Sequence, residues 1–215
     1  MLGSGVVAAK RLLDLFCGAG GAAMGYHLAG FADIVGVDIK PMPRYPFTFV
    51  QGDALEYVAT HGYAFDLIHA SPPCQRYSTM SRNKMDHPDL YGPTKLVLTR
   101  IGALYVIENV IGAPYMSGVV LCGSMFGLRV RRHRNFETNW PIWLPLRCDH
   151  LGQGRPITVT GHGGGKPSPH SWKGVRAEWP QIMGMEWATP AEVTQAIPPV
   201  YTEWVGKQFL ALGGE

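Results

Sequence analysis

The sequence predicts an α/β chain: a mainly parallel, doubly wound sheet with a small loop-rich lobe beside it. Three observations carry this. Short apolar runs alternate with helix-compatible stretches through the first half of the 215 residues. Those runs are continuous and not strictly alternating, as expected of strands covered on both faces. Beyond Phe136 the texture changes, and residues 138–180 are rich in Pro, Gly, Trp and His.

Taken in order, Arg11–Phe16 ("RLLDLF") is a buried strand, and "CGAGGAAMGYHLAG" is a glycine turn opening a helix. Ile34–Asp38 ("IVGVD") is a second strand ending in an acid. Thr48–Gln51 is a third, followed by a helix over about Ala54–Thr60. Asp66–Ala70 ("DLIHA") and Tyr105–Glu108 ("YVIE") are the fourth and fifth, with a helical segment near Lys95–Ile101 between them. From Val175 the chain is helix-compatible again, and Pro198–Pro199 introduce a last amphipathic stretch, "VYTEWVGKQFLALG". The expected organisation is a sheet domain over 1–137, the lobe over 138–175, and a C-terminal segment over 176–215 that returns to the sheet domain.

With 46% hydrophobic and 16% charged residues, the chain can bury the core of one globular domain. A net charge of +3 permits nucleic-acid binding without demanding it, and the cationic charge gathers at Arg129, Arg131, Arg132 and Arg134. Four dispersed cysteines with no CxxC pair suit a reduced, cytoplasmic setting. Neither a targeting signal nor a membrane span is expected, because no apolar run approaches the roughly 18 residues a span requires.

The "DLFCGAGGAA" turn fits GxGxxA through Gly18, Gly20 and Ala23. Glycines allow the sharp turn and close backbone approach, and the helix start offers unpaired N–H groups. Asp38, at the end of the second strand, can accept from both hydroxyls of a ribose, and Asp53, after the third, from an adenine amino group. Two acids favour a nucleoside over a pyrophosphate. The pattern leaves an NAD-like cofactor and S-adenosylmethionine both open, against a plain strand-to-helix turn with capping acids.

Cys74, in "ASPPCQRYS", follows the fourth strand, and Glu108, in "ENV", ends the fifth. In open α/β sheets the carboxyl ends of the strands line the ligand crevice, so a thiol and a carboxylate share one rim with the glycine turn. Such a pair can perform covalent catalysis with acid assistance. A lone cysteine is more often a small core residue, and Cys17, Cys122 and Cys148 are read that way. For Cys74 the two prolines and the strand-end position favour a nucleophile.

"DLFCGAGG", "VGVDI", "QGD", "SPPCQRYS", "ENV", the Arg132-x-Arg134 pair and "TQAIPPVYTEWVG" occur in the order of the motifs of the DNA (cytosine-5-)-methyltransferase family, which the chain resembles over nearly its whole length. The resemblance implies a Rossmann-like S-adenosylmethionine-dependent methyltransferase fold, in a compact member with a reduced target-recognition region. It implies that Cys74 adds to carbon 6 of a cytosine flipped out of duplex DNA, and that Glu108 holds ring N3 and the exocyclic amine. Arg134 would meet the cytosine carbonyl oxygen, and Arg132 would orient the site. Phe16, Gly18, Ala19 and Gly20 would surround the cofactor, with Asp38 on its ribose, Ile39 and Asp53 on its adenine, and Pro73 beside it. Gln75, Ser78, Arg82, Lys84 and Arg131 would face the nucleic acid, most of them from a loop that closes over it.

Three departures stand out. Val130 replaces the glutamine usual two positions before the first arginine, and Gln195 replaces an asparagine in the last motif. Between them, only about Thr138–Val175 is available for target recognition, so a short or relaxed sequence context is expected. Cys148, His150, His162 and His170 lie in this stretch, but their spacing matches no strong zinc pattern and no metal is expected. A monomer acting on DNA, in a phage-like setting, is the leading expectation. The alternatives are an RNA or free cytosine nucleotide as acceptor, or a silent DNA-binding homologue. A nicotinamide oxidoreductase gives "PPCQ" no role.

Overall fold

A seven-stranded sheet in the order β3-β2-β1-β4-β5-β7-β6 organises the computed structural model, which describes residues 10–73, 88–113, 116–143, 146–160, 172 and 174–212. The strands are β1 (Arg11–Leu15), β2 (Asp33–Asp38), β3 (Thr48–Gln51), β4 (Leu67–Ala70), β5 (Tyr105–Asn109), β6 (Val119–Leu121) and β7 (Arg134–Thr138). The first five are parallel, whereas β7 runs antiparallel to β5 and β6 antiparallel to β7. The helices are α1 (Gly21–Ala29), α2 (Ala54–His61), α3 (Tyr91–Arg100), α4 (Trp179–Met183) and α5 (Pro199–Ala211).

Both faces of the central strands are covered, which explains their continuous apolar character. On β1, Leu12 faces a core shared with Tyr26 of α1 and Tyr201, Val205 and Phe209 of α5. Leu13 and Leu15 face the opposite core, with Val58 of α2 and Leu98 of α3. Burying one such side chain contributes about 1.5–3 kcal/mol. α1 and α5 approach closely because each places a glycine against the other. A Cβ on Gly25 would overlap the Pro199 carbonyl oxygen and the Thr202 hydroxyl, and one on Gly206 would lie 2.8 Å from the Ala29 Cβ.

The five parallel strands match the sequence-based expectation. α3 starts at Tyr91, earlier than expected, because Asp89 Oδ1 accepts the Tyr91 N–H at 3.1 Å and Pro93 is tolerated in a first turn. The antiparallel pair β6–β7 was not anticipated. β7 buries Asn135 and Glu137, polar residues that argue locally against a core strand. The Tyr91 hydroxyl donates to Glu137 Oε2 at 2.6 Å, a partner only the tertiary fold supplies.

Among the described residues between Thr138 and Val175 there is no named strand or helix, only an isolated bridge between Ile157 and Trp172. Ile157 and Val159 join a third apolar cluster with Ala19, Val130, Trp179, Met183 and Met185, which seats this segment against the glycine turn. No described helix is long and apolar enough to cross a membrane.

Candidate active site

The strand order reverses between β1 and β4: the chain runs outward through β2 and β3, then returns to place β4 and β5 on the other side. Crevices of open α/β sheets lie at such switch points, outside the carboxyl ends of the strands. Phe16, Asp38, Ser71 and Glu108 all lie on that edge.

The turn after β1 is conformationally demanding. Phe16 (φ 57°), Gly18 (φ 50°) and Gly20 (φ 83°) all have left-handed backbones. A Cβ on Gly20 would also lie 2.7 Å from Pro46 Cδ, whereas one on Gly18 would meet nothing within 4 Å. The turn is thus packed from below and open towards the crevice. The Gly18 N–H donates to Asp38 Oδ2 at 3.1 Å, and the Lys40 N–H to Asp38 Oδ1 at 3.0 Å. Ile39 leaves an apolar side chain 65% exposed beside this clasp. From the C-terminal segment, Trp187 Nε1 donates to the buried Ala19's carbonyl at 2.8 Å. Asp53 caps α2, its Oδ1 accepting from Leu55 and Glu56 N–H at 2.8 and 2.9 Å. One carboxylate oxygen therefore serves the helix, as the capping alternative holds.

Across the switch point, the Asn109 side-chain amide donates to the Pro72 carbonyl at 3.1 Å, tying β5 to the diproline after β4. Pro73 is half-buried at the rim. Cys74, Gln75, Ser78, Arg82 and Lys84 lie outside the described residues.

Glu108 is buried, and Arg134 Nε lies 3.1 Å from its Oε1. The antiparallel direction of β7 makes this pair possible, since it brings the start of β7 to the carboxyl end of β5. The N–H is not aimed at that oxygen, and among the described residues none donates a hydrogen bond to Oε1. Burial raises the Glu108 carboxyl above its ordinary pKa, opposed by Arg134, a hydrogen bond from Ser71 and Arg132. Arg132, with φ 40°, donates to the carbonyls of Val159 (3.0 Å) and Thr194 (2.7 Å). The Tyr201 hydroxyl is 3.0 Å from the Arg131 carbonyl and 3.1 Å from that of Arg132, and Arg131 Nε donates to Gln153 Oε1. The described contacts of Arg132 are those of a brace that joins the arginine loop, the lobe and the C-terminal segment.

Behind Glu108 lies a buried relay that sequence reasoning missed. Tyr26 OH is 3.0 Å from His69 Nδ1, and His69 Nε2 is 3.0 Å from Ser71 Oγ. Ser71 must donate to the Glu108 carboxylate, so it accepts from His69 Nε2–H, and Nδ1 accepts from Tyr26. Burial lowers the His69 pKa from 6.5 to about 3, which keeps the imidazole neutral in this chain. Only the histidine inside the apolar run "DLIHA" hinted at it.

Between pH 6.5 and about 3 the unfolded chain protonates His69 while the folded chain does not. Stability contributed by the neutral imidazole is complete above this window and falls through it by about 1.4 kcal/mol per pH unit. His69→Gln, which can still donate and accept, is expected to unfold with a pH slope shallower by one proton in this window. Identical slopes in denaturant titrations of the two proteins would contradict the assignment.

Residues 10–110 match the family model described as C-5 cytosine-specific DNA methylase. The chain is 32% identical over 125 residues to the type II methyltransferase M.AquIA of Picosynechococcus sp., covering 48% of this chain and 49% of that protein. It is 30% identical over 118 residues to M.XorII of Xanthomonas oryzae pv. oryzae, covering 46% of this chain and 28% of that one. The matched stretch thus spans about half the length of the first of these curated relatives and under a third of the second. Among solved structures, S. pombe Dnmt2 methyltransferase aligns with a TM-score of 0.63 at 14% identity, over 95% of this chain and 99% of that one. A DNA modification methyltransferase encoded within an E. coli prophage aligns at 0.62 and 14%, over 96% and 100%. At these identities the likeness is one of fold: the Rossmann-like α/β fold of methyltransferases.

Proposed function

We propose that this chain, whose residues 10–110 match the family model of C-5 cytosine-specific DNA methylases, transfers a methyl group from S-adenosylmethionine to carbon 5 of a cytosine in DNA. The observation that carries this is the buried Glu108, held by Ser71 and Arg134 on the edge where the diproline leads into Cys74. On the same edge, the open face at Gly18, the clasped Asp38 and the exposed Ile39 suit a nucleoside. Asp38 and Asp53 would hold its polar edges, with Phe16, Gly18, Ala19, Gly20 and Pro73 around it. Bound there, S-adenosylmethionine supplies an electrophilic methyl group.

The chain's own residues account for activating the base. The Cys74 thiolate adds to carbon 6 of a flipped cytosine, and a protonated Glu108 donates to ring N3 as electron density moves onto it. Carbon 5 thereby becomes nucleophilic and would take the methyl group, the sulfur–methyl bond breaking to leave S-adenosylhomocysteine. Loss of the carbon-5 proton to water then expels the Cys74 thiolate, and N3 returns its proton to Glu108, which leaves a neutral aromatic ring. Arg134, beside Glu108, would meet the base carbonyl, while Arg132 would hold the loop. Gln75, Ser78, Arg82, Lys84 and Arg131 are assigned to nucleic-acid contact.

The test is labelled S-adenosylmethionine offered in parallel with duplex DNA, single-stranded DNA, RNA and dCTP. Transfer to duplex DNA that vanishes in Cys74→Ala, with a covalent adduct on 5-fluorocytosine DNA, is the expected result. Transfer confined to RNA or dCTP would replace the acceptor, and binding without transfer would indicate a silent homologue. Few side chains are available between Thr138 and Val175 to read base edges, so methylation mapping is expected to show a short context. A strict, extended context for the chain acting alone would contradict that.

A further inference from the structure

Four side chains from three parts of the chain, none of them used above, converge: Cys122, His133, Cys148 and His150. One donor atom from each lies within 4.8 Å of all the others. Cys122 Sγ is 3.4 Å from His150 Nε2, and His133 Nε2 is 3.3 Å from Cys148 Sγ. Tetrahedral zinc, with bonds of about 2.3 Å to sulfur and about 2.0–2.1 Å to nitrogen, sets its ligands about 3.3–3.8 Å apart. The cluster therefore needs only a small contraction to close on an ion. We propose that these four residues form a Cys2His2 zinc site that fastens the recognition segment to the catalytic sheet.

The chemistry of the donors selects the metal. Two thiols and two imidazoles, with no carboxylate or carbonyl in the set, suit a borderline-soft ion and not calcium or magnesium. Four protein ligands fill a tetrahedral shell, so the site is structural. Two thiolates also cancel the charge of the ion, which matters beside Arg131, Arg132 and Arg134.

Placement shows what the ion would do. Cys122 follows β6 directly, and His133 sits between Arg132 and Arg134 just before β7. Cys148 and His150 belong to the irregular segment after β7. A single ion thus crosslinks the antiparallel edge of the sheet, the arginine loop and the segment assigned to target recognition. That segment is too short for a core of its own, and a metal is one way small, loop-rich units are stabilised. Around the ligands, Ser124 Oγ is 3.3 Å from Cys122 Sγ and accepts the Asp149 N–H at 3.3 Å, which orients the Cys148–His150 turn. Of the four residues whose sequence spacing argued against a zinc site, Cys148 and His150 take part, while His162 and His170 lie outside the described residues.

The experiment is elemental analysis of the full chain, purified under reducing conditions without added metal, followed by cobalt substitution. One zinc per chain is expected, with a cobalt form showing thiolate-to-metal charge transfer and the d–d bands of tetrahedral cobalt. The Cys148→Ser/His150→Ala double variant is expected to lose both signals, while Cys74→Ala keeps them. The wild-type cobalt spectrum reports thiolate ligation even if the double variant folds poorly, and Cys148→Asp offers a ligand-preserving alternative. A reduced wild-type chain that stays metal-free after zinc incubation and dialysis would overturn the proposal. So would full zinc content in a folded double variant. None of these readouts requires methyl transfer.

Discussion

Glu108→Gln is expected to lower methyl transfer to DNA by about 10²- to 10⁴-fold, the usual contribution of a positioned general acid. Glutamine keeps the shape and can still meet Ser71, but its amide cannot deliver a proton to ring N3. The loss should fall mainly on kcat, because the proton is needed as the ring accepts electrons and not for binding. Burial raises the Glu108 carboxyl, and the Arg134 guanidinium opposes that rise. The protonated form therefore persists to higher pH than for an ordinary carboxylic acid. Arg134→Ala should raise the carboxyl pKa further, moving the high-pH limb of the rate profile upward even as the rate falls. A Glu108→Gln enzyme within about threefold of wild type, or a limb that moves downward in Arg134→Ala, would contradict the general-acid role assigned here.

Gly25→Ala carries the largest expected cost to the fold. The added methyl would strike the Pro199 carbonyl and the Thr202 hydroxyl, which itself lies 2.8 Å from the Ala22 carbonyl. Backbone at the start of α5 cannot rotate away as a side chain can, so a cost of about 3 kcal/mol or more is expected, at the upper end for overpacking. For a chain of this size that corresponds to a melting temperature lower by about 6–12 °C. Gly92 in α3 is the control, since a Cβ there meets nothing within 4 Å. Gly92→Ala should be neutral or stabilising by up to about 1 kcal/mol through helix propensity and reduced chain entropy. Equal melting temperatures for the two variants would contradict the close α1–α5 approach. The effect of Gly25→Ala should also reach the site, because Tyr201 of α5 hydrogen-bonds the carbonyls of the arginine loop.

The five parallel strands were legible because each carries its own signal: a short apolar run ended by Gly, Asp or Pro, or by Glu-Asn in β5. The glycine turn, Asp38 and Glu108 were legible for a related reason, being strand-end residues whose place on the rim follows from parallel topology. β6 and β7 were not, because Asn135 and Glu137 read locally as polar surface. The dual use of Asp53 was visible as an alternative, since an acid before a helix is both a cap and a candidate ligand.

The sequence by itself determined the order of the five parallel strands and the helices between them, the turn that only left-handed backbones can make, and the residues able to do chemistry at the strand ends. These properties are local, set by periodicity, backbone sterics and side-chain type. The tertiary structure alone decided which distant groups meet: Arg134 with Glu108, Tyr26 and His69 behind Ser71, and Cys122 with His133, Cys148 and His150. Each of these meetings depends on the direction and register of strands paired across long stretches of chain, and spacing along the sequence carries no record of that.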